Sequence, residues 1–308
     1  MKNFIITIDT EGDNLWGYHG EGIIRTENSR FIPRFQKLCN KYGFKPVYLT
    51  NFEMISDDVF ATFARETQEK GQCEIGIHIH AWNNPPLYKL SRDKTGQSYL
   101  IEYPEDIMRQ KLETTYSLIK EKMGIAPVSH RAGRWAMNDI YFKILSEYGI
   151  LVDCSKTPHV DWSIFIGANR GGSDYRHVDA RAHYINNVLE VPMSIINTEK
   201  KIKASWKLRL KYAMKFKMLP YKQIWLRPSV SSLDEMKKVI DYYNADASFD
   251  FVEFMLHSSE LMPGGSPYYK TKDDVERLFT VLDALFSYAK SKGYEGCTLR
   301  EYKQRSER

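Results

Sequence analysis

At 308 residues, 43% hydrophobic and 27% charged, the chain has the composition of a soluble globular protein, long enough for one large α/β domain or two ordinary ones. The net charge of +5 is too mild to indicate nucleic acid, and no nucleic-acid-binding motif accompanies it. No stretch approaches the roughly 18 apolar residues that a membrane-spanning helix needs.

Residues 1–9 reach an acid after a short apolar run and offer no small-residue cleavage site. They do not read as a secretory signal, and the expectation is a cytoplasmic protein. Residues 4–8 predict a strand, 30–42 a helix closed by Gly43, 45–49 a strand, 57–70 a helix stopped by Gly71, and 73–78 a strand. After a long loop come a helix over 105–123 ended by Gly124, a strand over 128–131, a helix over 138–148 and a strand over 150–154. Strands over 188–191 and 224–226 follow. Then come a helix opened by a capping box from Ser232 to Glu235, a strand over 251–256 and a helix over 272–292. Alternating β and α units predict parallel strands with helices outside, in a sheet or barrel. No linker or low-complexity tract divides the chain, which reads as one domain over 1–308.

Two segments break this rhythm. Residues 158–183, rich in Gly, Asp and Arg, predict a long loop inserted over one end of the sheet. Residues 200–222 hold nine Lys or Arg and no acid; helix and strand both stay open there. Cys39, Cys73, Cys154 and Cys297 are widely spaced without a CxxC, and read as reduced thiols rather than a zinc–thiolate site.

The chemistry-bearing residues fall at predicted strand ends. Asp9, Glu11 and Asp13 alternate directly after the first strand, and residues two apart on an extended chain share a side. Three acids on one side repel unless they are solvated or hold a cation. His78 and His80, again two apart, end an apolar strand, so both imidazoles can reach one ion. Arg131 follows another strand and can fork onto a carboxylate, with Trp135 beside it as a flat surface for a sugar. Asp161 and Trp162 lie in the irregular loop. His257 follows the apolar run Phe-Met-Leu, and a histidine in that position can serve as general acid or base.

These stretches, in this order, resemble the motifs of the polysaccharide deacetylase family (carbohydrate esterase family 4, the NodB-homology domain). The resemblance implies a distorted (β/α) barrel of about seven strands that removes acyl groups, usually N-acetyl, from sugars with a divalent metal, zinc being the expected ion. Ile6-Thr-Ile-Asp-Thr-Glu11 is similar to the first motif, which makes Asp9 the general base and Glu11 a metal ligand. Glu74-Ile-Gly-Ile-His78 matches the approach to the histidine motif. Arg131 resembles the arginine that steadies the base, Asp161-Trp162 the fourth motif, and Leu256-His257 the last. The run from Glu253 to Pro267 is similar to a branch found with surface-polysaccharide biosynthesis.

Two departures stand out. Thr10 occupies the place adjacent to Asp9 where the family's second acid commonly lies. Trp82 stands four residues after His78, where the family's second histidine usually lies, so the implied ligand set is Glu11, His78 and His80.

The implied chemistry is hydrolysis of an acyl amide, with Asp9 held by Arg131 as base, His257 as acid, and Asp161 orienting His257 or fixing its protonation state. Trp82, Trp135 and Trp162 are candidate stacking surfaces. The expected substrate is a nucleotide sugar or a lipid-linked glycan, and residues 200–222 suit peripheral contact with an anionic membrane face or a grip on a pyrophosphate. Two other readings stay open: a catalytically silent carbohydrate-binding protein on this fold, and a hydrolase of small non-sugar amides.

Overall fold

The first strand, β1 (Lys2–Thr10), is buried from Asn3 onward, as the apolar run Phe-Ile-Ile-Thr-Ile requires of a parallel strand covered on both faces. In the computed structural model, which describes residues 2–18, 22–91, 93, 95–201, 206, 207, 209, 210, 214 and 221–307, it lies near one end of a curled sheet. The other strands are β2 (Pro46–Thr50), β3 (Glu74–Ile79), β4 (Ser129–Ala132), β5 (Val152–Asp153), β6 (His183–Ile185), β7 (Val188–Glu190), β8 (Ile195–Lys201), β9 (Tyr221–Trp225), β10 (Phe251–His257) and β11 (Tyr294–Gly296). The sheet order is β10-β1-β2-β3-β4-β5-β7-β6, with β11 added beside β1. Seven strands of this path, β10 to β7, run parallel, and only the β6–β7 pair is antiparallel.

The gap between β7 and β10 is spanned by the base of the β8–β9 hairpin. Leu226 N donates to Ser194 O at 3.1 Å, and Met255 N donates to Leu226 O at 3.2 Å. The sheet therefore curls into the distorted barrel expected of this chain.

Helices α1 (Ile32–Lys41), α2 (Phe52–Ser56), α3 (Asp58–Glu69), α4 (Glu105–Met123), α5 (Asp139–Glu147), α6 (Leu233–Ala245), α7 (Lys272–Ser291) and α8 (Leu299–Ser306) complete the fold. Period-two alternation divides the core. Phe4, Ile6 and Ile8 join the cluster shared with the helices, whereas Ile5 joins Val47, Leu49, Val152, Leu189 and Phe251 inside the curve. Leu299 and Tyr302 of α8 belong to that inner cluster, and Tyr302 Oη donates to Asp250 Oδ1 at 2.8 Å. Helix α8 thus closes the end of the barrel where the strands begin, and the opposite end is left for the site.

The helix over 105–123 and the capping box from Ser232 to Glu235 lie where the sequence predicts them. Helix α2, strands β6, β8 and β11, and helix α8 are not foreseen: each is short, or breaks the alternation of β and α units. The loop over 158–183 folds back on itself through bridges between Asp161 and Asp174 and between Ile166 and Gly171, and its last residue already belongs to β6. Most of 202–220 lies outside the described residues; of that stretch Trp206, Lys207, Arg209, Leu210 and Met214 are helical. All four cysteines are free and buried. Among the described residues no helix is long and apolar enough to cross a membrane.

Candidate metal centre

Strand register gathers the chemistry at one edge. Asp9 of β1 pairs with His257 of β10, and His78 of β3 pairs with Arg131 of β4. All four stand at the carboxyl ends of parallel strands, where the active sites of such folds collect. The inward face of β1 continues through Asp9 to Glu11, and that of β3 from His78 to His80.

Glu11, His78 and His80 each bring a ligand atom within 4.8 Å of the others. His80 Nε2 lies 2.8 Å from Glu11 Oε2 and 3.1 Å from His78 Nε2, which is itself 3.7 Å from Glu11 Oε2. His78 Nδ1 donates to the Arg131 carbonyl at 2.9 Å, which in a neutral imidazole leaves the Nε2 lone pair free. His80 Nδ1 is buried with no hydrogen-bond partner among the described residues. Two imidazole nitrogens and a carboxylate converging on one point are the donor set of hydrolytic zinc centres, and these residues fit a divalent cation. Burial alone would raise the Glu11 carboxyl, but His257, His78 and His80 outweigh it and hold the group far below the ordinary range. Burial opposes charge on His78 too, yet Asp9 and Glu11 push its pKa up; at His80 burial wins and the pKa falls.

Arg131 is wholly buried and spreads its guanidinium over four acceptors. It donates to Asp9 Oδ1 at 2.7 Å, Thr7 Oγ1 at 2.7 Å and Cys154 O at 3.1 Å, and makes a close ion pair with Glu253. Burial works to raise the Asp9 carboxyl, and Arg131 with His78 and His257 overrides it, so Asp9 is held below its usual value as an anion. Glu253 fares differently: burial pushes it up to about 7 despite Arg131. One guanidinium does not neutralise two buried carboxylates, and Asp9 takes the charge. Alternation along β10 puts Glu253 on the same face as His257, a signal the sequence held but that an acid inside an apolar run conceals.

His257 presents Nε2 at 3.9 Å from both Asp9 Oδ2 and Glu11 Oε1. Its Nδ1 is 2.8 Å from Glu260 Oε1, and Arg227 reaches the same oxygen at 3.3 Å. Arg227 Nη2 also lies 3.1 Å from His257 Nδ1; because the Glu260 carboxylate can only accept, the shorter 2.8 Å contact assigns Nδ1–H to His257, which keeps Nε2 for the cavity. The expectation that Asp161 orients His257 is therefore corrected. Asp161 Oδ1 accepts from Ser163 N at 2.8 Å, Asp161 Oδ2 stands 3.6 Å from Arg176, and Asp161 does not line the cavity. Its place is in the bridge that folds the loop over 158–183.

Asp9, Glu11, His78, His80 and His257 open into a cavity of about 350 Å³ whose wall includes Trp82, Trp135 and Trp162. The Trp82 ring lies 4.3 Å from that of His80, and Arg131 sits 5.0 Å over the Trp135 ring. Sequence reasoning passed over Trp16, Tyr99, Arg134, Arg227 and Tyr268, which line the same cavity. Trp16 packs edge-on to His257 at 4.7 Å and to Tyr268 at 6.0 Å. These five come from loops without periodicity, which meet only once the barrel has formed.

No protein-family model matches the sequence, and no curated protein matches it either. Solved structures do match. The 4-alpha-glucanotransferase of Thermococcus litoralis is 13% identical, with a TM-score of 0.54 over 98% of this chain and 40% of its own. The family 4 acetyl xylan esterase of Clostridium thermocellum, solved with a cobalt ion, is 15% identical, with a TM-score of 0.47 over 97% of this chain and 89% of its own. A CE4 family pseudoenzyme of Bacillus anthracis is 13% identical, with a TM-score of 0.45 over 97% of this chain and 64% of its own. At such identities the likeness is one of fold, and the chemistry of the site rests on its own residues.

Proposed function

We propose that the chain is a metal-dependent deacylase that removes an N-acetyl or related acyl group from a sugar during surface-polysaccharide biosynthesis. The observation that carries this reading is the convergence on one aromatic-walled cavity of three parts. These are the Glu11–His78–His80 donor set, Asp9 clamped by Arg131, and His257 backed by Glu260.

Amide hydrolysis needs a base for water and an acid for the departing nitrogen. Asp9, kept anionic by Arg131, takes a proton from the attacking water. His257 delivers a proton from Nε2 to the amine as the carbon–nitrogen bond breaks, while Glu260 stabilises the imidazolium through Nδ1–H. A divalent cation on Glu11, His78 and His80, for which zinc is our choice, supplies Lewis acidity toward the acyl carbonyl. Trp82, Trp135 and Trp162 offer faces on which a sugar ring can stack.

Acetate release from a panel of N-acetylated saccharides, with Zn²⁺ supplied, tests this reading. Release by the wild-type protein, abolished in Asp9→Asn and His257→Ala, supports it. Sugar binding with no acetate released by zinc-loaded protein supports instead the non-catalytic binding protein.

For the substrate we favour a nucleotide sugar or a lipid-linked glycan handled in the cytoplasm, at the inner membrane face in the second case. Support comes from residues 200–222: among the helical residues described there, Trp206, Leu210 and Met214 are spaced four apart and are 71%, 51% and 74% exposed. Exposed apolar side chains within a basic segment suit anionic lipid. Co-sedimentation with phosphatidylserine vesicles, weakened by salt and by Trp206→Ser, supports this; equal recovery with neutral and anionic vesicles rejects it.

A further inference from the structure

Three charged groups on the cavity wall are matched locally. Asp9 has Arg131 at 2.7 Å, Glu11 has His80 at 2.8 Å, and Arg227 has Glu260 at 3.3 Å. Arg134 is different. It lines the cavity, yet among the described residues no carboxylate oxygen lies within the 4.0 Å of an ion pair. Its guanidinium makes a close hydrogen bond to Gln97 O, a long one of 3.4 Å to Ile166 O, and stacks 4.1 Å over the Tyr99 ring. Two acids act on it from beyond that distance: Glu102 spends its oxygens on backbone N–H groups of Tyr99, Ala168, Asn169 and Arg170, and Asp93 accepts from Thr95 N and Gly96 N. Five guanidinium N–H groups are available, and among the described residues two are used.

The backbone is built to put this cation there. Gly133 packs so closely on the end of β3 that a Cβ would stand 2.4 Å from Ile79 O and 2.8 Å from His80 Nδ1. Directly after it, Arg134 (φ 54°) and Trp135 (φ 62°) are both left-handed, a conformation that is unfavourable for non-glycine residues and gathers at ligand clamps. The turn thus runs against His80 and places Arg134 and Trp135 on the wall of one cavity. A half-buried guanidinium whose neighbouring acids, Glu102 and Asp93, act on it only from beyond ion-pair distance gains when an anion joins it.

We propose that Arg134 recognises an anionic substituent, a carboxylate or a phosphate, on the acylated sugar, so that the substrate is a charged saccharide rather than a neutral one. This rests on the sugar-deacylase reading, but it is tested by binding, which does not require turnover. The probes are N-acetylglucosamine, N-acetylglucosamine 1-phosphate and N-acetylglucosaminuronic acid, titrated calorimetrically into zinc-supplemented wild type, Arg134→Gln and Arg134→Lys.

Wild type is expected to bind at least one anionic sugar on the order of tenfold more tightly than the neutral one, the scale of a charge-assisted hydrogen bond. Whichever of the two anions is preferred identifies the source of the charge. Arg134→Gln is expected to bring the ratio to about one, and Arg134→Lys to keep part of it. Equal affinity of the wild type for neutral and anionic sugars, including failure to bind either, overturns the proposal, and this arm depends on no variant. So does a preference that survives intact in a folded Arg134→Gln. Failure of the deacylase reading would show separately, as anion-selective binding without acetate release.

Discussion

His257 meets the carboxylate of Glu260 at 2.8 Å through Nδ1, across one turn of the 3₁₀ helix Ser258–Leu261 that follows β10. This contact fixes which imidazole nitrogen faces the cavity. Glu260→Gln keeps the shape but can hold His257 in the wrong tautomer, so kcat should fall by on the order of a hundredfold or more, with an altered pH profile. Asp161→Asn should leave the pH profile in place. A profile that responds to Asp161 and not to Glu260 would return the orienting role to Asp161.

Arg131 is the buried cation that pairs with both Asp9 and Glu253. Arg131→Met should therefore destabilise the fold by about 3–5 kcal/mol, the range for breaking a buried ion pair from one side. Urea denaturation measures it. A loss below about 1 kcal/mol, the scale of exposed pairs, would mean that water or rearrangement satisfies Asp9 and Glu253.

Glu253 gives the stability a signed pH dependence. Its ordinary value is 4.5, and in the fold it is pushed up to about 7. Between those values the native state keeps a proton that the unfolded chain has lost, so this group's contribution to stability falls as pH rises through the window. The size is on the order of 3 kcal/mol. Glu253→Gln removes the titration and should flatten that decline in the urea midpoint between pH 5 and pH 8. Parallel curves for the two proteins would show that Glu253 titrates normally.

What could be read from the sequence follows from periodicity. A strand repeats every two residues, so Asp9 with Glu11 and His78 with His80 were legible as pairs facing one way before any contact was known. Order along the chain then joined them to Arg131 and His257. Glu260 was not legible as the partner of His257, because three residues bring side chains together only if the chain turns at once into a helical turn, and an apolar strand gives no warning of that. Arg134 and Trp16 were hidden for another reason: their positions depend on a left-handed turn and on loops that meet across the barrel. Asp161 misled because a motif fixes a residue's place in the chain, not which partner its carboxylate finds.

The least familiar member of the candidate metal centre is His80, since Trp82 stands where a more distant second histidine would lie. Its Nε2 is 2.8 Å from Glu11 and 3.1 Å from His78, so its loss should open the centre rather than merely loosen it. Zn²⁺ at a hundred times its dissociation constant should stabilise the wild-type protein by about 2.7 kcal/mol, since a ligand that binds only the native state stabilises it in proportion to ln(1 + [L]/Kd). The melting temperature should rise with zinc and return on adding EDTA. In Glu11→Gln, His78→Ala and His80→Ala the rise should be absent at the same zinc concentration. Were His80→Ala to keep the full rise while His78→Ala lost it, zinc would be held without His80, whose imidazole would then act only as a hydrogen-bond partner of Glu11.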